Sequence, residues 1–444
     1  MQRDAVLKKN ITGVFFRYVT PGVIGMVGLS LYILADTYFI ANGIGRLGLA
    51  ALNIGLPVYN LIFGIGALLG IGGGTVFSIL HGRAEHERAN RPFTIAAVLG
   101  VCFSLLFALL GSFASGPIAA LLGATEETAT YTITYLRVIL LFSPAFILNN
   151  IMTAFVRNDG NPHLAMAAMT ISTLTNIVLD YVFIYPLRLG MFGAALATGL
   201  GTVLGLLIHL THFLRKSNTL RLLRMRPAIR EILQIFHCGI SNFITEFSAG
   251  IVILAFNTVI LKLAGNTGVA AYGIVANIAI VCTAFFNGIG QGVQPIISTN
   301  FGALQQKRVW HAYLLAVTCA CTIGLIFYGT GILFPTQIAG LFNQEKSPEL
   351  TALAVRAIHR YFLAFASMGF NIITITSLAA MSQLKEAFML SILRGFAVIL
   401  PVLFLLSHFF GLDGVWLTIP VTELLIALLG TVFLLRVHRK LKKV

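Results

Sequence analysis

Charge is scarce in this chain: 10% of its 444 residues are Asp, Glu, Lys or Arg, against about 25% in a soluble globular protein. With 57% hydrophobic residues and a mean hydropathy of +0.90, that shortage excludes a water-soluble fold. Acid is scarcer still, with 15 Asp and Glu against 30 Lys and Arg and a formal charge of +15. Cysteine is sparse too. Cys102, Cys238, Cys282, Cys319 and Cys321 all lie in apolar runs, and the only close pair is two apart, so it points to different sides of a helix. They read as small core residues. No HExxH or GxSxG falls at membrane depth and no loop resembles a filter, so neither an intramembrane enzyme nor a channel is expected. The stretch from Met1 to Asn10 is polar and basic, and the apolar run after it is too long for a signal-peptide core and lacks a small-residue cleavage pattern. A retained first helix is expected.

What the chain has in quantity is apolar runs of 18 or more residues, each long enough to cross a hydrocarbon core of about 30 Å as a helix. Spans are predicted at 13–41, 47–80, 93–115, 128–156, 163–185 and 191–214, and again at 232–263, 268–300, 311–334, 350–381, 387–409 and 413–436. The chain is thus an all-α polytopic membrane protein of twelve transmembrane helices. The polar stretch Arg215 to Arg230 divides them, giving an N-terminal lobe over 1–216, a linker over 217–230 and a C-terminal lobe over 231–444.

The surplus of positive charge follows the same topology. With the N-terminus inside, Arg46, Arg137, Arg188, Lys262, Lys346, Arg356 and Arg360 fall outside, and the other 23 Lys and Arg fall inside. That asymmetry predicts cytoplasmic termini and accounts for the charge without nucleic acid.

The second and eighth spans align without gaps at an offset of 220 residues: Ala50, Ala51, Ile54, Gly70, Gly72, Ser78 and Gly82 recur as Ala270, Ala271, Ile274, Gly290, Gly292, Ser298 and Gly302. Six helices per lobe make the repeats parallel ones, related by a pseudo-two-fold axis along the membrane normal, an arrangement suited to alternating access around a central cavity.

An ionisable side chain at mid-bilayer depth costs at least a few kcal/mol, so each one is a functional candidate. Four acids qualify: Asp36, Asp180, Glu246 and Glu423. Asn176 and Asp180 are four apart and share a helix face. Their oxygens, with Asp36, suit a monovalent cation or a proton shared between two acids, while interhelical hydrogen bonding is the alternative. Glu246 reads equally as a proton or cation acceptor and as a structural acid, whereas Glu423 reads as an interhelical bond.

Other signals are structural. Gly66, Gly70 and Gly74 have the spacing of close helix packing, without the βαβ context of a phosphate loop. His209 and His212 are three apart, but no third metal ligand is near. Pro21 removes a backbone hydrogen bond from span one and is expected to kink or loosen it.

Together, several segments resemble the multidrug and toxic compound extrusion (MATE) family of antiporters. They are Pro21 and Asp36 in span one, Arg157-Asn-Asp-Gly-Asn-Pro162 after span four, Asn176-Ile-Val-Leu-Asp180-Tyr181 on span five, Gly193-Ala-Ala-Leu-Ala-Thr198-Gly199 on span six and Gly411-Leu-Asp-Gly-Val-Trp416 entering span twelve. The resemblance runs over essentially the whole chain. It implies a V-shaped pair of six-helix bundles that exports amphipathic, often cationic compounds against an inward H⁺ or Na⁺ gradient, with no other cofactor. In the DNA-damage-inducible F-like branch the first lobe holds the coupling site; carried over, that site is Asp36, Asn176, Asp180 and Thr198, with Pro21 as the bending point. NorM-like and eukaryotic members use a Glu on span seven, which Glu246 approximates. They also expect an acid on span ten, where Ala364 to Met381 has none and Asn371 is the nearest polar residue. Small-molecule substrates, a bilayer, a monomer and a bacterial inner membrane are the implied setting. The rival reading is a lipid-linked oligosaccharide flippase of the same superfamily, for which Arg137, Arg360 and Arg394 would be the cationic candidates.

Overall fold

A computed structural model describes residues 2–342 and 347–441. Lys346, Lys442 and Lys443, counted above, lie outside the described residues. The elements are α1 (Gln2–Lys8), α2 (Ile11–Gly43), α3 (Arg46–Gly82), α4 (His86–Phe113), α5 (Ser115–Leu121), α6 (Glu126–Leu141), α7 (Ser143–Asn158), α8 (Pro162–Ile184), α9 (Gly190–Leu210), α10 (Ile229–Gly302), α11 (Gln306–Leu333), α12 (Pro335–Phe342), α13 (Pro348–Tyr361), α14 (Phe365–Ala380), α15 (Leu384–Ile392) and α16 (Ile399–Leu441). Helix is the form expected of chains in lipid, where every backbone polar group must find its partner within the segment.

Counting continuous helices understates the crossings. At about 1.5 Å per residue, the 74 residues of α10 would reach over 100 Å, several times the hydrocarbon core. Gly265, with φ 59° and ψ −157°, leaves the helical region and divides α10 into the seventh and eighth spans. Gly411, with φ 57° and ψ −134°, divides α16 in the same way. A side chain in that left-handed region is strained, and glycine has none. The predicted fourth span is two helices, α6 and α7, bent by 49° at their junction; Pro144, in the first turn of α7, lacks the N–H that would continue α6. The tenth is α13 and α14 joined through a short 3₁₀ turn. Twelve crossings result, in the predicted order. Outward-facing Leu105, Leu174, Leu254, Leu325 and Phe409 are more than half exposed, as lipid contact requires.

Pro21 lies inside the continuous helix of span one. Its neighbours hold it: the Cβ position of Gly22 is 2.6 Å from the Gly288 carbonyl oxygen, so α2 and the eighth span meet backbone to backbone.

That contact belongs to a reciprocal set. Gly82 closes on the Thr299 carbonyl and Gly302 on the Ile79 carbonyl; Gly72 closes on Gly239, and Gly292 on Val19. Each pair maps onto its mate by the 220-residue offset found in the sequence. The opening turns of α2 consequently share a core with Phe286, Ile289 and Val293, whereas Ile235 and Cys238 of α10 share one with Leu68, Phe77 and Phe155. Arg308 donates to the carbonyls of Val6 and Lys9, and Trp310 stacks edge-on to His438, so both chain ends lie at this closed end. Towards the other end the spans diverge around a cavity.

After a turn in which the Arg215 carbonyl accepts from the Asn218 N–H, residues 218–228 form neither helix nor strand and run against the first six spans. Asp159 accepts from the Thr219 N–H (2.9 Å) and hydroxyl, Asn90 bonds the Thr219 carbonyl and Arg221 N–H, and Leu220 is buried. His212 closes the anchor on Asp159 at 2.7 Å, and His209 bonds Asn149 at 3.0 Å, which accounts for the two histidines without a metal.

Candidate functional site

The glycines that were read as packing residues bring the helices close enough to bury polar groups: Gly66 and Gly70 sit on Asn150 and Gly74 on Asn158 of α7. On the other side of the first lobe, α2 packs on α8, with Gly25 against Met169 and Gly43 against Ile184. This brings Asp36 and Asp180 within side-chain hydrogen-bonding reach of one another. Asp36 is 8% exposed and Asp180 is 0%. With the Asn176 amide turned to satisfy both neighbours, its Nδ2 donates to Asp180 Oδ2 at 3.1 Å and its Oδ1 accepts from the Thr198 N–H at 3.1 Å. All four residues picked from the sequence therefore form one cluster.

Its chemistry follows from burial. Asp36 Oδ1 and Asp180 Oδ1 have no hydrogen-bond donor among the described residues. Two touching carboxylates removed from water cannot both stay charged without a proton or a cation between them. Tyr32, one turn before Asp36, bonds Tyr59 at 3.1 Å, and both line an adjacent cavity of about 680 Å³ with Asn176 and Thr198. Pro21 lies fifteen residues before Asp36, roughly 22 Å along the axis, in the seam with the eighth span.

That cavity opens into a larger one of about 1490 Å³ between the lobes, walled by Met26, Phe63, Tyr272, Tyr361 and Met368. Glu246 lines it, half-buried and without a partner among the described residues. Asn371 donates through Nδ2 to Glu423 Oε2 at 2.6 Å and to the Glu423 carbonyl at 2.7 Å, while its Oδ1 is buried without a donor among the described residues. Glu423 in turn grips Arg394 at 2.7 Å, which makes it the interhelical bond read from the sequence. Arg360 pairs with Asp413 at 3.2 Å, and Arg137 is exposed away from the cavity.

Sequence reasoning missed Arg157 as a cavity residue. It is 3% exposed and lines a polar chamber of about 880 Å³ at the closed end, with Asn150, Asn242, Glu246, Gln291 and Gln294. Its contact across the seam is with the Gln291 carbonyl, 134 residues away, and no local pattern announces that. Beside it, Asn158 donates to Gln294 at 3.2 Å, and Gln294 donates to Thr75 at 3.1 Å.

Comparison with known proteins bears on the same regions. The MatE family model matches residues 21–182 and 240–405. The multidrug export protein MepA of Staphylococcus saprophyticus is 30% identical over 441 residues, covering 97% of this chain and 95% of the relative. Its Staphylococcus aureus counterpart is 30% identical over 438 residues with the same coverage. A solved outward-facing structure of a multidrug resistance MATE family transporter of the MOP superfamily superposes with a TM-score of 0.93 at 25% identity, covering 99% of this chain and 98% of that one.

Proposed function

The chain belongs to the MatE family, and on that footing we propose that it exports amphipathic, cationic small molecules across a bacterial inner membrane in exchange for H⁺ or Na⁺. The observation that carries the coupling is the buried contact between Asp36 and Asp180. The proton is the reading that the geometry supports better. Asn176 offers Asp180 an N–H and spends its oxygen on Thr198, so the unpartnered carboxylate oxygens of Asp36 and Asp180 are left without the amide oxygen that a metal ion would call for.

An ion drives export only as far as it binds the two conformations differently. Occupancy of the carboxyl pair alters what α2, α8 and α9 present to the cavity through Tyr32, Asn176 and Thr198, and drug release follows. One charge moved across 100 mV supplies about 2.3 kcal/mol, enough for tens-fold accumulation. The lobes over 1–216 and 231–444, cytoplasmic termini, a monomer and kinship with the F-like branch belong to the same proposal. A flippase for anionic lipid carriers has less support from the cations considered for it, because Arg394 and Arg360 are paired with acids and Arg137 does not line the cavity; Arg157 is the one buried cation on the chamber wall without an acid partner among the described residues.

The test is dye efflux from proteoliposomes under an imposed pH gradient and, separately, an imposed Na⁺ gradient. Efflux under the first alone is expected. A protein that moves no cationic dye under either gradient ends the reading.

A further inference from the structure

Arg157 is a buried cation without an acid. Its guanidinium donates to the Gln291 carbonyl at 3.3 Å, and among the described residues no carboxylate pairs with it. Arg394, the other cation on the same chamber wall, is neutralised by Glu423. The carbonyl end of α7 and one backbone oxygen stabilise a positive charge only in part. The surrounding Asn150, Thr153, Asn242 and Gln294 orient dipoles but add no negative charge, and Glu246, the acid on the same chamber wall, makes no ion pair with Arg157 among the described residues. Burying an arginine this fully is costly, and the planar fork it presents to the chamber matches a carboxylate.

From this geometry we infer that Arg157 is an anion subsite in this chamber, which shares Phe63, Thr245, Glu246, Asn287 and Arg394 with the export cavity, and that it receives the carboxylate of amphipathic substrates that carry one besides their cationic group. Glu246 lines the same chamber and faces the cationic group. The cavity thus accepts zwitterionic amphiphiles as well as simple cations, and Arg157 distinguishes the two. The inference rests on the export reading above.

Two forms of one cationic xanthene dye, the methyl ester and the free acid, differ only by the carboxylate. In energised inverted vesicles holding the full chain, the wild type is expected to transport both. Arg157→Gln is expected to lower transport of the free acid about tenfold and that of the ester less than threefold, with Arg157→Lys between wild type and Gln for the acid. Equal losses for both dyes that Lys does not relieve would overturn the inference in favour of a purely structural tie across the seam. So would a wild type that moves the ester and not the acid. A wild type that moves neither dye fails the export reading, and this inference with it. Fluorescence anisotropy on purified protein gives a measurement independent of turnover: the wild type binds the acid more tightly than the ester, and Arg157→Gln abolishes that preference. An unchanged preference overturns the assignment.

Discussion

Arg394 and Glu423, 29 residues apart on neighbouring spans, hold one another through contacts of 2.7, 2.8 and 3.1 Å, and Asn371 caps the carboxylate from a third helix. The side chains are 16% and 5% exposed, so most of the pair's charge is met by protein.

Removing one partner leaves a buried charge uncompensated, which costs about 3 kcal/mol, whereas apolar replacement of both is far milder. Arg394→Met is therefore expected to lower the thermal stability of the purified protein sharply, and Arg394→Met with Glu423→Met to recover most of the loss. A double variant as unstable as the sum of the singles would contradict the pairing.

Asp36→Asn and Asp180→Asn each replace a proton-exchanging oxygen with an amide. Either is expected to reduce gradient-driven dye efflux at least tenfold while leaving dye binding to the purified protein within about threefold. Full efflux by Asp36→Asn would remove the coupling role of the cluster.

Gly72 and Gly239 have no room for a methyl group, whereas nothing lies within 4 Å of a Cβ added at Gly28. Gly72→Ala should force the closed end apart, detected as lengthened distances between spin labels on the ends of α3 and α10, and Gly28→Ala should leave them unchanged. Indistinguishable distances in the two variants would show that the seam yields without opening.

The residues after α9 carry Arg215, Lys216 and Arg221 as trypsin sites yet are pinned through Asp159. Asp159→Ala removes three hydrogen bonds, two to Thr219 and one to His212, and is expected to speed tryptic nicking there by about tenfold, with the helices still intact by circular dichroism. Nicking at the wild-type rate would mean that Asn90 and Leu220 suffice to hold the segment.

Hydropathy made the twelve crossings legible because lipid leaves the backbone no alternative to helix, and the acids of the first lobe stood out because they are few. The bend between α6 and α7 was not read, although Ser143-Pro144 inside an apolar run was the available signal. The close packing of α2 beside Pro21 is on the backbone of Gly288, and Arg157 takes its meaning from Gln291. Both relationships join segments far apart in the chain, where no spacing rule reaches. Asn371 was legible only as the nearest polar residue on span ten: its NH2 is held by Glu423, a neighbour that composition could not assign to it, while its Oδ1 has no donor among the described residues.

The exchange of opening turns between the two halves has a bearing on biogenesis. Val19 waits for Gly292, about 270 residues later in translation, which at ordinary ribosomal speeds is a delay of tens of seconds. During that interval the beginning of the chain is inserted but unpartnered, so the first bundle cannot mature before the second emerges, and either half made alone would expose an unfilled groove to lipid.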